Sequence, residues 1–375
     1  MIALTSKATQ IDDLLDRMAE EVQLDQTRYE RMISSYESIK NWIESDERFF
    51  KPFKYDVYPH GSVRILTTVK PIGKDEFDLD IAVHLRAGTE HTPARIYAEL
   101  VRRLREHNLY KDMVDLKNRC VRLNYAGDYH MDILPGVQEF EHDKNRIMVP
   151  DRQLGEWVSS NPRGYADWFL AKANLVKESL LEKAMRAEKL PTDDFKKKKP
   201  LQRAVQLIKR YRDIYFEDDD TYRSSSVILT TIAGQFYSGE ESIFDTVDNI
   251  VTIIHNRMAS IAERLKIYNP VNPDEDFTDK WDSEPEYYHA FKNFAAHLYQ
   301  EWQKLKLENG VINEGYVMKG LFGGDLFLKA QRNQAHQVEH IRKSNELATS
   351  RSTGILTSVG AIGSSAVKQN TFYGG

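Results

Sequence analysis

The segment FDLDIAVHL, residues 77–85, sets two aspartates one residue apart in a run that alternates apolar and polar positions. As a β-strand it turns Phe77, Leu79, Ile81, Val83 and Leu85 to one face and Asp78 and Asp80 together to the other. Two carboxylates about 5 Å apart repel by roughly 3 kcal/mol at an effective dielectric of 20. Such a pair holds a cation, shares a proton or stands in full solvent. An all-oxygen donor set suits Mg²⁺ or Mn²⁺ better than zinc. A third acid arrives in YHMDILPG, where Tyr129, Met131 and Ile133 alternate with His130 and Asp132. If the two strands pair, the three carboxylates converge, which is the cage that two-metal phosphoryl chemistry needs.

Upstream, His60, Gly61 and Ser62 lie between the strand-like KYDVY and the helical SVRILTTV. A glycine and a serine opening a helix offer unpaired N–H groups and a hydroxyl, a ready phosphate clamp. A plain serine N-cap fits the same residues, and His60 beside it reads as structural. No P-loop, dinucleotide glycine fingerprint, HExxH helix or GxSxG elbow occurs, so a phosphate site must come from this turn.

These residues need a scaffold, and hydrophobic periodicity supplies one. Residues 8–48 read as one long helix, with Ile11, Leu14, Leu15, Met18, Val22, Ile33, Tyr36, Ile39 and Ile43 recurring at three- and four-residue steps. From 52 to 138 short alternating runs surround one helix, PARIYAELVRRLREHNL. After 150 the helical period returns and continues to about 345, and from Thr349 onward Ser, Thr and Gly dominate. The resulting fold class is α+β and bilobed: a brace helix over 1–50, a mixed-sheet core over 51–160, a helical lobe over 161–345 and a flexible tail over 346–375.

Composition narrows the function. The 375 residues are 41% hydrophobic and 29% charged, ordinary for a globular chain. A net charge of −5 provides no global positive field for nucleic acid. The run Lys196–Lys199 follows Asp193 and Asp194 and reads as a solvated loop, so no nucleic-acid activator is expected. One cysteine, Cys120, excludes an internal disulfide and a multi-thiolate zinc site, and reads as core. No run of about 18 apolar residues and no signal peptide is found, which predicts no membrane contact and a cytoplasmic location.

Taken as an ordered set, GSVRILT (61–67), DLD (78–80) and MDILPG (131–136) resemble the signature of the DNA polymerase beta-like nucleotidyltransferases. The brace helix, EFDLDIAVHL, NPRGYADWF, LIKRYRD, the serines of YRSSSVILTTIA and NPVNPDEDFTDKW narrow the likeness to the bacterial cGAS/DncV-like nucleotidyltransferases over roughly residues 10–305. The resemblance implies a polymerase beta-like core and a cyclic di- or trinucleotide second messenger, made from ATP, GTP or other NTPs with release of pyrophosphate in anti-phage (CBASS) defence. It implies that Asp78, Asp80 and Asp132 hold two Mg²⁺ ions and that Gly61 and Ser62 hold the donor triphosphate. Lys209 of LIKRYRD, with Ser225 and Ser226, would form a second triphosphate clamp. Periodicity alone leaves Lys209 on a polar face beside the stripe of its helix, and leaves Ser224 as an N-cap for a helix beginning near Val227. No aromatic is singled out to read a base, and the bases are not assigned.

The last residues, Thr371 to Gly375, are similar to the ends of ubiquitin-like modifiers. Some relatives are attached through such an end by a ubiquitin-transfer-like enzyme, which makes Gly375 a conjugation point; an inert frayed end fits the same residues.

Overall fold

Asp25 splits the N-terminal helical stretch in two by accepting a hydrogen bond from the Arg28 backbone N–H and starting a helix afresh. The computed structural model describes residues 7–73, 76–86, 90–125, 127, 129–175, 197–261, 263–307, 311–344, 347–350, 356–358 and 364–366. Its first helices are α1 (Lys7–Glu21) and α2 (Gln26–Glu44). In α1, Leu15, Met18 and Ala19 are buried in the core of the helical lobe, whereas Tyr36, Ile39 and Ile43 of α2 are buried against the sheet. The single brace predicted from periodicity is therefore two helices, one for each lobe.

The core follows as β1 (Tyr55–His60), α3 (Gly61–Arg64), β2 (Phe77–Leu85), α4 (Pro93–Arg105), β3 (Val114–Leu116), β4 (Val121–Tyr125), β5 (Tyr129–Gln138), β6 (Ile147–Asp151) and β7 (Glu156–Ser160). The sheet runs β1-β2-β5-β4-β3, and β6 joins β5 to β7. Strands β2 and β5 are parallel, with Asp80 opposite Asp132, and their flanking partners are antiparallel. Leu79, Ile81, Val83, Met131 and Ile133 share a buried face with residues of α2 and α4. The alternation that buries this face leaves the acids on the other one.

The helix expected over SVRILTTV stops after one turn. Leu66 takes the left-handed conformation at φ 61, which a leucine adopts only when its surroundings hold it there. The chain then runs as a loop to β2.

The helical lobe comprises α5 (Pro162–Ala173), α6 (Pro200–Tyr215), α7 (Ser226–Phe236), α8 (Ile243–Ser260), the hairpin β8 (Tyr268–Asn269) and β9 (Asn272–Asp276), α9 (Lys280–Ser283), α10 (Pro285–Lys306), α11 (Val311–Phe322) and α12 (Gly324–Lys343). Leu207, Ile232, Phe291 and Trp302 are fully buried at its centre. Helix α12 returns to α1, where Gln334 donates to Asp13 at 2.9 Å and Asn333 to Glu21 at 3.0 Å. In place of a uniformly flexible tail, the described residues form a three-stranded antiparallel sheet of β10 (Leu347–Ser350), β11 (Leu356–Ser358) and β12 (Ser364–Ala366), with Ala348 fully buried. Gly375, Lys196, Asp193 and Asp194 lie outside the described residues. No helix among the described residues is long and apolar enough to cross a membrane.

Candidate active site

Strand register brings the acids together. Asp80 stands opposite Asp132 across the parallel β2–β5 pair, and Arg122 stands opposite Asp132 across β4–β5. The Arg122 guanidinium grips Asp132 with two bonds, Nε to Oδ1 at 2.7 Å and Nη2 to Oδ2 at 2.8 Å. Its Nη2 also donates to Asp78 Oδ1 at 3.2 Å. Burial, reinforced by the Asp132 charge, pushes the Asp80 carboxyl up to about 7. Burial and then the charges of Asp80 and Asp132 raise Asp78 to about 6. The Asp78 side chain is 55% exposed, so water screens its share of the repulsion more than it does for Asp80. Hydrogen bonding to Asp132 holds Arg122 above the usual arginine range.

The donor chemistry fits hard divalent cations: three carboxylates from two adjacent strands and no thiolate or imidazole required. Among the described residues, however, no group of three or more His, Cys, Asp and Glu side chains is already arranged around a common metal position. The Arg122 guanidinium lies among these carboxylates, bonded to Asp132 and Asp78.

Gly61 is the reason Asp80 can lie where it does. At φ +59 the glycine presents its α-carbon to the carboxylate, and a Cβ there would stand 1.9 Å from Asp80 Oδ2. Next to it, Ser62 Oγ lies 3.2 Å from Thr68 Oγ1, and the Thr67 N–H donates to Ser62 O at 2.9 Å. Helix α6 holds this loop through a row of donors. Gln202 reaches Ile65 O at 3.0 Å, Gln206 reaches Thr68 O at 2.8 Å and Arg210 reaches Lys70 O at 2.6 Å. Lys209 donates to Thr67 O at 3.1 Å and to Thr67 Oγ1 at 3.0 Å. It is 5% exposed, and burial followed by the Arg212 charge pushes its ammonium down to about 7.

Ser225, not Ser224, is the N-cap position of α7, which begins at Ser226, one residue before the expected start. Arg212 explains the shift: it donates to Ser226 Oγ and to Ser224 O at 3.4 Å, tying the turn to α6. Gly61, Ser62, Asp78, Asp80, Lys209, Ser225 and Ser226 all line one cavity of about 540 Å³. Asp132 stands beside Asp80 on the neighbouring strand, and Arg122, which grips it, lines the cavity.

Sequence reasoning passed over several residues of this wall. Arg122 follows from the same alternation as the acids, since Val121 and Leu123 point into the core. Glu76 falls on the face of Asp78 by period two, and His130 Nδ1 lies 2.9 Å from it. Arg212, three residues after Lys209, shares its side of α6 and lines the cavity with Arg223. Cys120, expected in the core, is half-buried just ahead of β4, and burial raises its thiol far above the usual range. His60 is kept neutral, its imidazole pushed down to about 4 by burial.

Residues 9–174 match the Second Messenger Oligonucleotide or Dinucleotide Synthetase (SMODS) domain family. A c-di-GMP synthase of Roseivirga ehrenbergii is 41% identical over 377 residues, covering 100% of both chains. The cyclic dinucleotide synthase CdnG of Bradyrhizobium diazoefficiens is 26% identical over 316 residues, 78% of this chain and 74% of that one. The structure of the Bradyrhizobium diazoefficiens CdnG in complex with GTP superposes with a TM-score of 0.71 at 22% identity, covering 87% of this chain and 99% of that one.

Proposed function

The chain belongs to the family of second messenger oligonucleotide or dinucleotide synthetases, a nucleotidyltransferase that makes a cyclic dinucleotide from nucleoside triphosphates, and we propose that it joins two GTP molecules into cyclic di-GMP. The choice of guanine rests on the full-length likeness to a c-di-GMP synthase. The site roles rest on one observation: Asp78, Asp80 and the Gly61–Ser62 turn share a cavity wall, with Asp132 opposite Asp80 on the adjacent strand. Anti-phage (CBASS) signalling and a cytoplasmic site of action complete the reading, supported by the family alone.

In this reading Gly61 and Ser62 receive the donor phosphates, and Lys209 leaves Thr67 to neutralise them, with Ser225 and Ser226 at the far side of the clamp. Two Mg²⁺ ions held by Asp78, Asp80 and Asp132 would supply activation of the attacking hydroxyl and charge neutralisation on the triphosphate. Asp132, held in line by Arg122, draws the proton from the ribose hydroxyl as its oxygen bonds the donor α-phosphorus. The bond to the bridging oxygen breaks, pyrophosphate leaves, and a second transfer closes the ring. Positioning and charge stabilisation carry the rate, with no covalent enzyme intermediate.

The test is direct. Purified protein with Mg²⁺ and the four NTPs yields a phosphatase-resistant product with the mass of cyclic di-GMP, and the Asp78→Asn, Asp80→Asn double variant yields none. Equal output from both proteins removes the proposed metal site. A labelled RNA or protein in place of a small product points to a macromolecular acceptor.

A further inference from the structure

The three acids and Arg122 form a closed electrostatic unit before any substrate arrives. The guanidinium takes both oxygens of Asp132 in a bidentate fork and spends a third N–H bond on Asp78. Charge-assisted fork bonds of this kind are among the stronger side-chain contacts, and they fix the orientation of the carboxylate. A cation approaching the acids therefore meets a fixed positive charge, and on Asp132 only the lone pairs that the fork leaves open.

We propose that Arg122 is a positioning residue that couples metal binding to nucleotide binding. Resting on the site roles given above, the proposal says that free divalent ions bind poorly to the nucleotide-free enzyme because Arg122 bridges Asp132 to Asp78. A metal-bound triphosphate brings the cation together with its own anionic oxygens, and these compensate the guanidinium as its bond to Asp78 opens. The fork on Asp132 persists and keeps that carboxylate aimed at the attacking hydroxyl, each of its oxygens retaining a lone pair for the cation. The 3.2 Å bond to Asp78 is the longest of the three and belongs to the most exposed of the three acids, which makes it the one that opens.

The coupling is measured by Mn²⁺ binding, read from the paramagnetic signal of the free ion. Wild type, Arg122→Lys and Arg122→Gln are compared with and without a non-hydrolysable GTP analogue. Wild type binds Mn²⁺ weakly alone and tightly with the analogue. Arg122→Gln binds Mn²⁺ alone about tenfold more tightly than wild type, while its rate of product formation falls. Arg122→Lys, which keeps the charge and loses the fork, falls between the two and guards against a misfolded glutamine variant. Nucleotide-free Mn²⁺ affinity unchanged or weakened in both variants overturns the coupling and leaves Arg122 as a prop for Asp132. Failure of wild type to bind Mn²⁺ even with the analogue overturns the metal reading itself, a different result from the first.

Discussion

The carboxylate of Asp80 lies against the α-carbon of Gly61, so close that a Cβ at residue 61 would fall 1.9 Å from Oδ2. The Gly61–Ser62 turn and strand β2 are thus fitted to each other at one atom. Gly61→Ala must displace Asp80 or bend the turn, and its φ of +59 adds strain of about 1 kcal/mol. Synthesis falls by about 100-fold or more while the melting temperature drops by only a few degrees. Product chromatography and thermal unfolding on the same preparation check both.

Asp80 carries a pH signature. Its folded carboxyl sits at about 7 against an ordinary 3.8, so between those values the native state binds the proton that the unfolded chain has released. Asp80 therefore contributes stability to the metal-free protein on the acid side that is lost as pH rises from about 4 to 7. Asp80→Asn flattens that slope and raises the metal-free melting temperature at pH 8 by about 3 °C or more, while abolishing synthesis. Chelator-treated wild type and Asp80→Asn melted from pH 4.5 to 8 give the answer; the same pH slope in both proteins contradicts it.

The acids were legible in the sequence because a strand's period of two converts FDLDIAVHL and YHMDILPG directly into faces. Their parallel pairing was not, since nothing local in either segment names its partner. Arg122 lay in view as the outward residue of RCVRLNY, yet only the register with Asp132 gives it a role. The break at Asp25 left no mark in the apolar stripe, because both helices keep the same period while turning to different cores. The single turn of α3 was likewise hidden: Ile65 and Leu66 suit a helix, and the donors that hold the loop come from α6, far along the chain. Lys209 needed the family likeness, because a helical period assigns it a side and says nothing of what faces it.

Lys209 is docked on Thr67 and held near neutrality by burial. A bound triphosphate favours its charged form, so nucleotide binding takes up a proton at pH values above about 7. The KM for GTP accordingly rises with pH above 7 in wild type. Lys209→Gln raises KM about tenfold at pH 7 and removes this pH dependence, since a lost charge-assisted bond is worth about 1.5–3 kcal/mol. Steady-state kinetics from pH 6.5 to 9 decide it: a pH-independent wild-type KM excludes Lys209 as a titrating phosphate contact.

The loop that carries Ser62 is held from a distance, and that arrangement separates positioning from stability. Gln206 is fully buried, and its amide N–H is the donor to Thr68 O at 2.8 Å, one residue from the carbonyl that Lys209 holds. Its own Oε1 is buried without a hydrogen-bond partner among the described residues. Gln206→Met strands the Thr68 carbonyl but also removes that unpaired acceptor, so the two effects offset and the stability cost stays near 1 kcal/mol. The loop loses its restraint all the same, and Ser62 and Thr68, 3.2 Å apart through their hydroxyls, lose their fixed spacing. The KM for GTP then rises several-fold with a melting shift of about 3 °C, whereas a comparably buried change remote from the loop, Trp302→Phe in α10, shifts melting and leaves KM alone. Parallel loss of kcat and stability in both variants, with KM unmoved, means that α6 merely supports the fold and does not set the geometry of the phosphate turn.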